Sequence, residues 1–171
     1  MTRFLGYIAA SLDARIADAN GSVDWLAPFS KPGNDYGYGA FYEEVDAPVM
    51  GRASYEFVAG QPEWPYPGRQ SYVVTTRKPN AARGDVEAVA ADFAALRERL
   101  TGQHECVWIM GGGQTLRGAM DVGMLDKLKL FVMPVVLGGG PLVFADGPPK
   151  NANLTDHKIW PGGVAELTYS F

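Results

Sequence analysis

Cys106-Val107-Trp108-Ile109-Met110-Gly111-Gly112-Gly113-Gln114 runs five apolar residues straight into a glycine triplet. From Gln114 to Leu125 the residues Leu116, Met120 and Met124 then fall on one helical stripe. This order predicts a buried strand, a tight turn and an amphipathic helix, the unit from which α/β folds are assembled. Without Cβ atoms the triplet can make a positive-φ turn, and it can also bring backbone N–H groups at the helix start close to an anion. Both readings suit the local sequence.

The same grammar recurs on either side. Phe4 to Ser11 is apolar on both faces, as a strand buried between two layers should be. Asn20-Gly21 marks a turn, and a Pro- and Gly-punctuated stretch follows that carries Trp25, Phe29, Tyr36, Tyr38, Phe41 and Tyr42. A long aromatic loop with a short helix fits it. Ala47 to Met50 reads as a strand that turns at Gly51-Arg52 into a helix over Ala53 to Val58, stopped by Gly60 and Pro62. Ser71 to Thr76 is a β-branched, aromatic strand. Asp92 caps a helix bearing Phe93, Leu96 and Leu100, and Leu128 to Leu137 is a further buried strand. Val164 to Phe171 alternates as a terminal antiparallel strand. The expected fold is α/β, a mostly parallel mixed sheet with an antiparallel C-terminal edge, in one domain over 1–171.

Composition removes several function classes. With 47 % hydrophobic and 20 % charged residues, the 171-residue chain has the balance of a globular domain rather than a disordered or fibrous one. A formal net charge of −4 with no Lys/Arg cluster argues against a nucleic-acid or anionic-membrane surface. One cysteine, Cys106, and two histidines, His104 and His157, do not make an ordinary zinc site. Both histidines read as surface residues without a nucleophilic triad. The opening apolar run meets Asp13 and Arg15 too soon for a spanning helix or a signal peptide, so a cytoplasmic protein is the expectation.

Chemistry concentrates at the strand ends. Gly51-Arg52-Ala53-Ser54 places a guanidinium and a hydroxyl at a second strand-to-helix junction, and two such junctions suit a pyrophosphate. Thr75-Thr76-Arg77-Lys78 could meet an adenosine 2′-phosphate or be ordinary surface. No acidic residue ends the strand after Gly111-Gly112-Gly113, so the usual NAD fingerprint is absent. The second triplet, Gly138 to Gly140, precedes an extended stretch and reads as a loop.

Taken in order, Tyr7 to Ala17, Val49 to Glu56, Val73 to Arg77, Ile109 to Gln114 and Pro134 to Gly140 resemble the dihydrofolate reductase superfamily. They are nearer to its riboflavin-biosynthesis reductase branch than to true folate reductases. The resemblance implies a three-layer αβα sandwich and bound NADPH. Ala9 and Ala10 would flank the nicotinamide, Gly51, Arg52 and Ser54 would hold phosphates, and Thr75, Thr76 and Arg77 would meet the adenosine end. Gly112, Gly113, Gln114 and Thr115 would receive the pyrophosphate, and Trp25 matches the tryptophan of the mobile loop. It further implies a homodimer, for which the apolar Leu130 to Leu137 segment offers a candidate surface.

Substrate residues depart from the folate pattern. The buried carboxylate of a folate reductase corresponds to Asp35 counted back from Met50, or to Ser30 counted forward from Trp25. Phe131 stands where its threonine partner would be. Ala14 replaces the glycine usual in this branch's turn, which asks for a less strained turn there. The main expectation is an NADPH-dependent reductase of a small, flat, pterin- or pyrimidine-like acceptor, with proton supply from Asp35, Tyr36 or solvent. An aminopyrimidine reductase of the riboflavin type is the alternative, although Lys31 is the only cation between Asp18 and Arg52. A non-catalytic nucleotide-binding module is the third.

Overall fold

The computed structural model describes residues 1–77 and 85–171. Eight strands form one sheet: β1 (Arg3–Ser11), β2 (Ala47–Gly51), β3 (Ser71–Val74), β4 (Val86–Val89), β5 (Cys106–Gly111), β6 (Lys127–Met133), β7 (Asn153–Trp160) and β8 (Val164–Ser170). Among the described residues four α-helices accompany them: α1 (Tyr38–Glu44), α2 (Arg52–Ala59), α3 (Phe93–Leu100) and α4 (Gly113–Asp121), with a 3-10 helix at Asp24–Phe29. The strand order is β4-β3-β2-β5-β1-β6-β8-β7. β1 to β6 are mutually parallel, and β8 turns antiparallel against β6 and β7.

β1 lies between β5 and β6, and its alternating side chains feed two layers. Phe4 and Ala10 enter a core with Leu96 and Leu100 of α3 and Leu116, Ala119 and Met120 of α4. Leu5 and Tyr7 face the opposite core, built from Phe41 of α1, Tyr55 and Val58 of α2, and Trp108. Helices on both faces make the three-layer sandwich. Leu116, Met124 and Leu128 are at most 1 % exposed, each burial contributing about 1.5–3 kcal/mol before entropy is counted.

Differences from the sequence reading fall at element ends and edges. β3 stops at Val74 because Thr75 turns its hydroxyl onto the Arg77 backbone. β6 stops at Met133, before Pro134. The antiparallel end has two strands where one was expected. β7 is exposed at every position but Trp160, so no alternation of burial marks it in the sequence. β4 is a four-residue edge strand. Lys78 lies outside the described residues.

The topology fixes where a ligand can sit. β2 continues through α2 to β3 on one side, whereas its neighbour β5 continues through α4 to β6 on the other. Adjacent strands whose connections diverge open a crevice at their carboxyl ends.

Candidate active site

The two helix starts at this crevice touch each other. Ser54 Oγ donates to the Gly111 carbonyl at 3.2 Å. A Cβ on Gly51 would lie 2.7 Å from Thr115 Oγ1, so α4 approaches β2 closely there and a side chain at 51 would have to turn the Thr115 hydroxyl aside. Gly51 and Gly112 are the N-caps of α2 and α4; neither helix has a side-chain cap bond or an acidic residue in its first turn. The junctions thus present two helix N-termini without the side-chain acceptors that usually satisfy them, an arrangement suited to an anion. Arg52 is held by Glu56 at 2.8 Å on its own helix, with both side chains near 40 % exposed. Gln114 is exposed and Thr115 buried.

The glycine triplet has a packing reason as well. A Cβ on Gly112 would come within 2.9 Å of Ile16 Cδ1, and one on Gly113 would overlap the Leu142 carbonyl. Gly111 has φ 107°. Tight turn and anion-facing helix start therefore coexist in the same residues.

The remaining expected cofactor positions separate. Ala10 is 2 % exposed and lies in the α3/α4 core, while Ala9 faces the opposite layer. Only Ala9 presents its side chain to a cavity; Ala10 could flank a ligand by its backbone. Thr76 and Arg77 are exposed at the end of β3. Trp25 packs with Phe131, Met133 and Val164, and its indole N–H is buried without a hydrogen-bond partner. The uncapped helix starts, with the hydroxyls of Ser54 and Thr115 beside them, suit the pyrophosphate of a nucleotide.

Ala9 lines a cavity of about 180 Å³ with Tyr7, Leu26, Phe29, Ser30, Asp35, Tyr36, Tyr38, Phe131 and Met133. The two countings for the substrate carboxylate meet here, since Ser30 and Asp35 line the same wall. The ring centroids of Tyr7 and Phe131 are 4.6 Å apart, those of Tyr36 and Phe131 6.1 Å. Phe131 is 1 % exposed, so it forms the floor. A wider groove of about 500 Å³ adjoins, sharing Phe29 and Tyr36 and adding Lys31 and Trp160.

Protonation follows from the surroundings. Asp35 accepts from the Gly39 and Gly37 N–H groups, both at 2.9 Å. These bonds hold its carboxyl below the ordinary carboxylate range. It is an acceptor at neutral pH, not a stored proton. Burial pushes the Tyr7 phenol upward, with help from Glu166 and Asp35, and pushes Tyr38 up to about 12. Tyr7 donates to the Tyr36 carbonyl at 3.0 Å, and Tyr36 donates to the Phe29 carbonyl at 2.9 Å. The cavity thus carries the neutral phenols of Tyr7 and Tyr38 and one anionic carboxylate.

Sequence reading missed Tyr7, Tyr38 and the buried Glu166. Tyr7 shares its face of β1 with Ala9, a period-2 relation that was available. Glu166 pairs in register with Phe131, accepts from the Trp160 indole at 2.7 Å and lies 3.2 Å from Lys129. Nothing in the local sequence of β8 marks it.

Two expectations are overturned. Ala14 does not sit in a relaxed turn; it adopts φ 59°. The turn is held by its neighbours: Asp13 accepts from Ser11 Oγ at 2.7 Å and from the Leu137 and Gly138 N–H groups at 3.0 and 2.8 Å. That contact also gives the second glycine segment its position. His104 is no surface histidine, because its Nε2 meets the Tyr72 hydroxyl at 2.9 Å and its side chain is 14 % exposed. Among the described residues no cluster of His, Cys, Asp and Glu could hold a metal, and no helix is long and apolar enough to cross a membrane.

Comparison with known proteins agrees with this architecture. The family model described as the RibD C-terminal domain matches residues 6–165. Two uncharacterized proteins of Bacillus subtilis (strain 168) are similar. YwjB is 36 % identical over 140 residues, covering 81 % of this chain and 80 % of YwjB. YyaP is 26 % identical over 178 residues, covering 95 % and 91 %. A putative riboflavin biosynthesis protein from Shewanella sp. PV-4 superposes with a TM-score of 0.88 at 27 % identity, covering 99 % of this chain and 98 % of that one. A diaminohydroxyphosphoribosylaminopyrimidine deaminase/5-amino-6-(5-phosphoribosylamino)uracil reductase from Thermotoga maritima shares the fold at TM-score 0.75 and 13 % identity. The match covers 99 % of this chain and 56 % of that one.

Proposed function

The chain belongs to the RibD C-terminal domain family, and on that premise we propose that it is an NADPH-dependent reductase whose acceptor carries a flat, amino-substituted pyrimidine-like ring. The observation that carries the reading is the aromatic cavity of about 180 Å³ whose polar lining includes the Asp35 carboxylate and the Ser30 hydroxyl. A slot of this size walled by Tyr7, Phe29 and Phe131 suits one planar ring. Asp35, held ionised by two backbone N–H groups, accepts hydrogen bonds from ring or exocyclic N–H donors. This favours an aminopyrimidine over a pterin read by a fully buried acid, because Asp35 is exposed.

NADPH would be held by the first turns of α2 and α4, with Arg52, Ser54, Gln114 and Thr115 around its phosphates and Arg77 at its adenosine end. When bound, it supplies the hydride. The chain's own part is to seat the ring against Phe131, to exclude water with the aromatic loop from Trp25 to Tyr38, and to keep Tyr38 as a neutral donor. A substituent on the ring would pass Tyr36 into the groove that contains Lys31, the one lysine on that groove's lining.

Tryptophan-fluorescence titration with NADPH and NADH, with Arg77→Ala beside the wild type, tests the cofactor assignment. Preference for NADPH that weakens in the variant is expected; binding of neither nucleotide sinks the reading. NADPH oxidation with 5-amino-6-alkylaminouracils, and with dihydrofolate as comparator, tests the acceptor. Nucleotide binding without turnover of any pyrimidine would identify a binding module instead.

A further inference from the structure

The groove beside the ring cavity measures about 500 Å³, the cavity itself about 180 Å³. The two share Phe29 and Tyr36, so a group attached to a ring in the cavity passes those side chains and enters the groove. The groove's walls come from segments far apart in the chain. The end of the 3-10 helix and the loop after it give Pro28, Phe29, Pro32 and Tyr36, and the turn between β7 and β8 gives Trp160 and Pro161. Three aromatic rings and three pyrrolidines offer broad apolar surface to a ligand.

Polar atoms on that wall are largely committed to the protein. The Tyr36 hydroxyl donates to the Phe29 carbonyl at 2.9 Å, and Asn34 Oδ1 accepts from the Tyr36 N–H at 3.2 Å. The Trp160 indole N–H donates to the buried Glu166 carboxylate at 2.7 Å. Lys31 is the one charged residue on the lining, and it is exposed. The 3-10 helix reaches the groove by its last two residues, Pro28 and Phe29, the end of a helix that favours cations over anions. A phosphate monoester carries a charge of about −1.5 to −2 at neutral pH and is held where several cations or helix N-termini converge. The lining has neither.

Trp160 is a fixed part of this wall. Its ring is held by the Glu166 bond, by the Lys158 ammonium 3.4 Å from the ring centroid, and by the Tyr36 ring at 5.3 Å and 66° to it. The Lys158 charge is engaged by that indole, and Lys158 pairs in register with Glu166. A side chain locked before binding adds contact area without an ordering cost.

We propose that the groove is a subsite for an uncharged aryl substituent on the acceptor, and that Trp160 selects it. The inference rests on the ring reading given above and narrows it. The acceptor is a hydrogen-bonding ring, met by Asp35 and Ser30, joined through a short linker to a second, apolar ring that occupies the place of a phosphorylated sugar. Glu166 is a positioning residue, acting through the Trp160 indole N–H.

Calorimetric titration of the full chain, with NADP⁺ present, tests this with three ligands. 5-Amino-6-(methylamino)uracil fills the cavity alone, 5-amino-6-(benzylamino)uracil adds a phenyl ring, and 5-amino-6-(ribitylamino)uracil 5′-phosphate adds a phosphorylated chain. The benzyl compound should bind about tenfold or more tighter than the methyl compound, the gain expected from burying one phenyl ring. The phosphate should bind no tighter than the methyl compound. Equal affinities of the benzyl and methyl compounds overturn the proposal and leave the ring reading standing; binding of none of the three removes both. A phosphate that binds tighter than the benzyl compound, with the advantage lost in Lys31→Ala, makes the groove an anion subsite and overturns the proposal.

Variants locate the effect, and the comparison of ligands on the wild type stands without them. Trp160→Ala should erase the benzyl gain and leave the methyl affinity unchanged, while Trp160→Phe, which keeps a ring, should restore most of the gain. Glu166→Gln retains an acceptor for the indole N–H and should keep the gain, whereas Glu166→Leu should lose it with the methyl affinity retained. A benzyl gain that survives Trp160→Ala overturns the assignment to the groove. If light scattering then shows that this substitution lowers the mass of the particle, the groove is a contact between copies of the chain instead.

Discussion

The Tyr7 hydroxyl donates to the Tyr36 carbonyl at 3.0 Å, fastening the aromatic loop to a central strand at a residue whose own backbone is left-handed, φ 55°. A non-glycine residue in that region costs of order 1 kcal/mol or more and persists only when its surroundings hold it. The holding contacts here are this bond, the Tyr36 hydroxyl on the Phe29 carbonyl, and the Trp160 ring 5.3 Å from the Tyr36 ring.

Tyr7→Phe should therefore loosen the wall shared by the cavity and the groove. The expected loss is about 1 kcal/mol of stability, read as a lower urea midpoint, with weaker binding of a pyrimidine ligand and unchanged affinity for NADPH. Equal loss of both affinities would show that Tyr7 does not act on the cavity alone.

Asp13 makes stability depend on acid. Its carboxyl is lowered to about 2, chiefly by the Ser11 hydroxyl and then by the Leu137 and Gly138 N–H groups. The unfolded chain titrates near 3.9, so this contribution is present above about pH 4 and lost as pH falls through about 2. Asp13→Asn should be less stable than the wild type at pH 7, with the gap narrowing on acidification. Urea midpoints followed down to the lowest pH at which the wild type folds decide the matter; a constant gap refutes it.

Ala14→Gly should stabilise the fold. Relief of an alanine at φ 59° gains about 1–2 kcal/mol, offset by about 0.5–1 kcal/mol of added unfolded-state entropy. A net gain of about 0.5 kcal/mol is expected in denaturant, and a net loss would contradict the turn described.

Gly113→Ala and Gln114→Ala separate packing from binding. A Cβ at Gly113 would overlap the Leu142 backbone carbonyl, so the first variant should lose about 2 kcal/mol or more, or fail to accumulate folded. Gln114 is exposed, so its truncation should leave the melting temperature within a degree or two while weakening NADPH several-fold. A Gln114→Ala protein with wild-type affinity would remove that side chain from the nucleotide site.

Elements that bury a face were legible in the sequence. β1, β2, β5, β6 and α4 write their burial as apolar runs or a helical stripe, and both strand-to-helix junctions followed from glycine placement. β7 was not legible, because an edge strand exposed on both faces has no burial to record. For the candidate site, Asp35, Ser30 and Phe131 were expected from the resemblance, and the structure brings all three to one cavity. Glu166 and the Tyr7–Tyr36 bond were not, since both depend on registers between segments far apart in the chain. Ala14 was not legible because its residue preference runs against its backbone conformation, which Asp13 and its three donors impose.

Because the Leu142 backbone carbonyl crowds the third glycine of the triplet at α4, selection for folding alone would maintain that residue. A chain of this fold that bound no nucleotide would still carry that glycine in its sequence. That glycine therefore speaks to packing before it speaks to binding, and the exposed Gln114 and Arg77, which no packing holds, are the positions whose identity would report on a ligand.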